Sequence, residues 1–203
     1  MTLDAHQHSL TLATDYLAEV RKRLGEDEAE QFARAHGASP EDLQRLVQRY
    51  PQCPPALIGL LQQVDGTHWR AYPGGEIAVP ILGSDVVEYP YYLRSVAQIL
   101  EDSEAAPTSI AQIYEEYLDE DPELLGAGID AHAPLNRRLC FAYCINNGGT
   151  SQLYVDFDPA PGGVSGQVVR YLHDPDSYKV IASDFSAYLH TLFEAEFDFI
   201  FED

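Results

Sequence analysis

The sequence predicts an α+β domain with a mainly antiparallel central sheet flanked by helices and an N-terminal helical extension, in chain order residues 1–38 and then 39–203. Three observations lead there. The first 66 residues carry apolar residues at helical spacing, broken by glycines and prolines. The stretch Leu139–Phe157 alternates like a strand, with Asn146-Asn-Gly-Gly149 inside it as a hairpin turn. A final run with Phe185, Tyr188, Leu189, Leu192 and Phe193 returns to helical spacing, and Glu196 and Phe199 prolong it.

Leu10, Ala13, Leu17, Val20 and Leu24 mark the first helix, which stops at Gly25 after Arg21-Lys-Arg23, where cations suit the helix dipole. A short second helix is predicted from Asp27 to His36. Ser39-Pro-Glu-Asp42 supplies the cap, the first-turn proline and the early acids that open a third. After Pro51, Pro54 and Pro55, the residues Leu57, Leu60, Leu61 and Val64 form an apolar stripe ending at Asp65-Gly66. Trp69, Tyr72, Ile77, Val79, Ile81 and the run Val86–Tyr92 read as β-type, with Pro80 and Pro90 pointing to edges or bulges. Ser95 with Gln98, and Ser109 with Gln112, are spaced as capping boxes. The second opens a helix whose Ile110, Ile113, Tyr114, Tyr117 and Leu118 share a face.

In Leu139–Ile145 large residues alternate with the small Cys140, Ala142 and Cys144, which suits a sheet closely packed by a helix on its small-residue face. Asp158-Pro159 with Gly162-Gly163 turns the chain between a strand at Leu153–Phe157 and one carrying Val168, Val169, Tyr171 and Leu172. Ser183 is the predicted cap of the last helix.

Composition narrows the function. Twelve basic residues against 33 acidic ones give a formal charge of −21 in 203 residues, a field that repels nucleic acid and anionic membranes. No apolar run approaches the ~20 residues of a spanning helix. The N-terminal residues do not read as a secretory signal, so the cytoplasm is the expected compartment. Cys53, Cys140 and Cys144 are an odd set; on a strand the last two would lie ~13 Å apart, beyond disulfide reach, so reduced thiols are expected.

No zinc spacing appears among the seven histidines, with His6 and His8 near the N-terminus, His132 in a loop and His173 at a strand end. Asp156 and Asp158 resemble the start of a calcium loop, but the twelfth position is Gln167 and turn chemistry explains them better. No catalytic, cofactor or metal residue is therefore assigned. A hydrolase using Asp156, Asp158 and His173 is the weakest alternative.

From Ala71 to Asn136 thirteen acids face one base, Arg94, a net −12. A solubilising surface accounts for such charge. A docking surface accounts for it together with the neighbouring tyrosines, because interfaces join aromatic anchors to opposite charge. The candidate partner-binding residues are accordingly Asp85, Glu88, Tyr89, Tyr91, Tyr92, Glu115, Glu116, Asp119 and Glu120.

The order of helix, Asp65-Gly66, aromatic strand, Ser95 helix, Asp156-Phe-Asp-Pro159, Gly166-Gln-Val168 and final helix resembles the SUKH superfamily across roughly residues 51 to 200. That superfamily holds Smi/Knr-type cell-wall synthesis regulators of yeast and many bacterial toxin-immunity proteins. The resemblance implies a SUKH-like domain that binds protein instead of catalysing. It implies an immunity-type inhibitor occluding a basic toxin domain, of nuclease or deaminase class, or a housekeeping scaffold with a non-toxin partner. The N-terminal extension and the segment Ser109–Gly128 lie outside the minimal pattern. Whether the chain is a monomer or a homodimer is left open.

Overall fold

The structure is a computed structural model that describes residues 3–201, without the side chains of residues 3–9 and Asp119. Four helices lead: α1 (Leu3–Arg23), α2 (Glu26–Phe32), α3 (Pro40–Arg49) and α4 (Pro55–Leu61). Ser39 caps α3 by accepting the Asp42 N–H, as its sequence indicates, a contact worth about 1 kcal/mol. A two-stranded ribbon follows, β1 (Arg70–Tyr72) against β2 (Gly75–Ile77), and then β3 (Tyr92–Leu93). The helices α5 (Val96–Ser103), α6 (Ile110–Tyr114) and α7 (Tyr117–Glu120) precede the strands β4 (Leu139–Asn146), β5 (Gly149–Asp156), β6 (Gln167–Leu172) and β7 (Ser177–Ala182), and α8 (Phe185–Glu194) closes the series. The strands β3 to β7 form one antiparallel sheet in sequence order.

This sheet has two unequal faces. On the main face Leu139, Phe141, Leu153, Val155 and Val168 meet α4, α5 and α8 in one core. Ala13, Tyr16, Leu17 and Val20 of α1 are fully buried in that same core, and α1 packs on α4 and α8. The Tyr16 hydroxyl donates to the Ile81 carbonyl at 2.7 Å, tying the first helix to the centre of the chain. On the second face Cys140, Tyr154, Val169 and Tyr178 lie under Ile110, Leu124, Ile129 and Ala131 of the segment between α5 and β4.

Local devices hold this arrangement. Both capping boxes form, at Ser95 with Gln98 and at Ser109 with Gln112. Buried Asp65 accepts the Val96 N–H at 2.9 Å and pairs with Arg70 at 2.7 Å, so Asp65-Gly66 anchors the start of α5. The β4–β5 hairpin turns on Asn147 and Gly148, both at positive φ, as the two-residue turn requires.

Seven expectations need correction. Val86–Tyr92 is mostly loop, because Ser84 accepts the Val86 N–H in a turn and Leu82 bridges Tyr91. The alternation of β4 changes phase at a bulge between Cys140 and Ala142. Phe141 is the extra residue, so Phe141 and Ala142 both serve the main core. A strand, β7, occupies the stretch expected only to lead into the last helix, and Asp184, not Ser183, caps α8 through the Ala187 N–H at 2.9 Å. That helix ends at Glu194; Glu196 and Phe197 take positive φ, and Phe197 and Phe199 return to the core by a turn. The second helix stops at Phe32, four residues early. The helix opened by Ser109 is broken at Glu115, whose φ is +48°.

Candidate partner-binding surface

The cations of this chain are largely committed inside it. Ten of the twelve Lys and Arg side chains form ion pairs, so the outward field is left to carboxylates. Arg138 and Asp156, both buried, pair at 3.2 Å, although Arg138 Nε does not aim its hydrogen at the carboxylate. Asp85 receives Arg170 Nε at 2.6 Å and Lys179 Nζ at 2.7 Å. Burial pushes the Asp85 carboxyl up, but the hydrogen bonds from Arg170 and Lys179 outweigh it and hold it below the usual range.

The break at Glu115 gives the acidic segment its shape. The spacing puts Ile113 and Tyr117 on one face with Ile110 and Tyr114, but the break reorients only Tyr117, since Ile113 precedes it and faces outward on α6 itself. Ile113 is 49% and Tyr117 62% exposed, among exposed Glu115, Glu116, Glu120, Asp121 and Glu123. Apolar side chains therefore stand in the middle of an acidic ridge.

The nine candidate residues do not form one surface. Glu115, Glu116 and Glu120 lie together on that ridge, while the side chain of Asp119 is outside the described residues. Tyr91 requires a correction: it is fully buried in the main core, because the Leu82 bridge turns its ring inward, and no partner can reach it. Asp85 sits in the loop before β3, engaged by Arg170 and Lys179, with Glu88 exposed beside it. Tyr89 is half-buried, and its hydroxyl accepts from Asn147 Nδ2 at 3.2 Å. Tyr92 lies elsewhere again, on β3 at the rim of the sheet's second face.

There the register assembles a row that residue order hides. Tyr92 pairs with Tyr143, Tyr143 with Gln152, Gln152 with Tyr171, and Tyr171 with Tyr178, so one side chain from each strand points to the second face. Five strands at ~4.8 Å spacing make this row roughly 19 Å long. Its first four members are half-buried, and Ile145 is exposed next to it. At the β3 end Trp69 packs on Tyr92 and His68, with ring centroids 4.9 and 5.1 Å away. At the other end the Tyr114 hydroxyl donates to Asp176, and Tyr171 stacks on Tyr178 at 4.7 Å. Sequence reasoning had Trp69 and the tyrosines but could not know which strand neighbours they become.

The residues of the hydrolase alternative are not brought together. Asp156 is fully buried, accepting from Gln167 Nε2 at 3.1 Å, and Asp158 pairs with Arg137 at 2.9 Å. Asp156 is paired with Gln167 in the sheet, and His173 lies six residues further along, roughly 20 Å away, beside Asp176. Among the described residues no three His, Cys, Asp or Glu side chains converge as metal ligands; the side chains of His6 and His8 lie outside those described. The described Cys53, Cys140 and Cys144 are free and buried, with burial pushing the Cys53 thiol up to about 12. No helix among the described residues is long and apolar enough to cross a membrane.

An antiparallel sheet with helices on one face and an irregular acidic segment on the other defines an α+β domain of SUKH type. The model of the SMI1 / KNR4 family (SUKH-1) matches residues 37–191, and the chain belongs to that family. Membership supports a protein-binding or immunity role at family level, in a family that is generally non-catalytic. A search of curated proteins found no match.

Proposed function

We propose that this chain is an immunity-type inhibitor that covers a basic toxin domain, of nuclease or deaminase class, in the cytoplasm. The observation that carries the reading is the ridge of α6 and α7: exposed Ile113 and Tyr117 surrounded by Glu115, Glu116, Glu120, Asp121 and Glu123, in a stretch without Lys or Arg from Ser95 to Asn136. A surface that only confers solubility has no use for an exposed isoleucine and tyrosine at its centre. A surface that is covered does, since apolar anchors within a complementary charged rim are how interfaces bind. Closely spaced carboxylates also imitate a phosphate array, which a nucleic-acid-handling toxin is built to hold.

Such a field raises association rates by ~10- to 10³-fold and loses this advantage as salt rises. Association with candidate basic toxin domains, followed by stopped flow, should slow steeply with ionic strength. Replacing Glu115, Glu116 and Glu120 by glutamine should flatten that dependence. Rates indifferent to salt, in a complex that does form, defeat the proposal.

A further inference from the structure

We infer that the aromatic row on the sheet's second face, with Trp69 at its head, is a docking strip for arginine side chains of a basic partner protein. The inference rests on the protein-binding reading above and names a contact which that reading leaves unassigned.

The segment between α5 and β4 covers the second face only in part. It lies over Cys140, Tyr154 and Val169, and leaves the rings of Tyr92, Tyr143 and Tyr171 partly open to solvent. Trp69 is 44% exposed with φ at +45°, a backbone region costly for a bulky residue. Its ring is held there by His68 and Tyr92, so an outward-facing indole is maintained at the expense of local strain.

The chemistry of the strip selects its ligand. Ring faces alternate with carboxylates: the Tyr143 hydroxyl donates to Asp102 at 3.1 Å, and Tyr114 reaches Asp176 next to Tyr171. Planar cations stack on such rings while their N–H groups meet the acids. The chain contains one example of its own. Buried Arg94 places its guanidinium 4.0 Å from the Tyr143 ring centre and bonds Asp102. The described cations nearest these rings are engaged elsewhere: Arg94 is buried and Arg70 is paired with Asp65. An acidic chain excludes phosphate-bearing ligands from the same rings.

The test separates ring recognition from bulk charge. Nona-arginine and nona-lysine peptides carry equal charge, so long-range attraction does not separate them; any preference of the carboxylates for guanidinium survives in ring variants, whereas the preference of the strip does not. At physiological ionic strength, calorimetry should show nona-arginine binding about fivefold tighter, with a saturable change in the emission of Trp69, the single tryptophan. Trp69→Ala and Tyr92→Ala should each bring the ratio towards one without altering nona-lysine affinity; urea unfolding verifies that both variants fold. Equal affinities, or an unchanged ratio in both variants, overturn the strip while the acidic field stands. If neither peptide binds, the charge reading under Proposed function fails with it.

Discussion

Substituting Asp156 by alanine should weaken the fold, not a reaction. Its carboxylate is fully buried, sits 3.2 Å from Arg138 Nε, and accepts from Gln167 Nε2 and from the Asp158 N–H at 3.2 Å. Removing it leaves a guanidinium in the interior without its counter-charge, a defect of about 3–5 kcal/mol. The damage spreads, because Arg138 also donates to the carbonyls of Asp130 at 2.7 Å and Ala133 at 3.3 Å, which seat the acidic segment on the sheet. For a chain of this size each kcal/mol lowers Tm by about 2–4 °C, so a fall of roughly 6–20 °C is expected by circular dichroism. The double variant Asp156→Leu with Arg138→Met should recover most of it, since neither charge then needs desolvating. A loss below about 1 kcal/mol, or an unchanged Tm with lost partner binding, would refute the structural assignment and return Asp156 to the functional residues.

Gly66→Ala should cost more than Gly162→Ala in urea midpoint. Both glycines have positive φ, but a Cβ on Gly66 would meet the Ser95 backbone nitrogen at 2.4 Å, whereas a Cβ on Gly162 would have nothing within 4 Å. Strain alone predicts about 1 kcal/mol for Gly162, and equal losses would contradict the close approach at α5. Acidification should act in two stages. Burial, and then the charge of Arg94, lower the His68 pKa, so the unfolded chain takes its proton first and stability falls as pH drops below the ordinary histidine value near 6.5. Asp85 is held low by Arg170 and Lys179, so its contribution persists above about pH 4 and is lost as pH falls through its folded value. His68→Gln should remove the first stage and Asp85→Asn should shrink the second, each read from urea midpoints across pH.

Local chemistry was legible because it is written in adjacent residues. The two capping boxes, the Asn147-Gly148 turn and the Ser39 cap follow from short patterns with one geometric solution. What escaped depends on distant neighbours. Ser183 and Asp184 are both good caps by composition, and only the geometry after β7 selects the second. The bulge at Phe141 arises from pairing with β5, and it cancels an alternation that the bare sequence displays cleanly. Glu115 has a good helical neighbourhood, yet the chain turns there between Tyr114, which bonds Asp176, and Leu124, which packs on the sheet, both contacts with residues distant in sequence. The acids of the candidate surface could be counted in advance. Their grouping could not, because Tyr91 and Tyr92 are sequence neighbours that face opposite sides of the sheet, one into the core and one to its rim.

The first helix has a practical implication for anyone trimming this chain. The stretch matched to the family opens at residue 37, after α1 has already delivered Tyr16, Leu17 and Val20 to the common interior. A fragment cut at that boundary would lack the plug for a groove between α4 and α8 and would carry its greasy lining into water. Expression vectors, fusion joints and affinity tags are better placed ahead of the helix than in its stead.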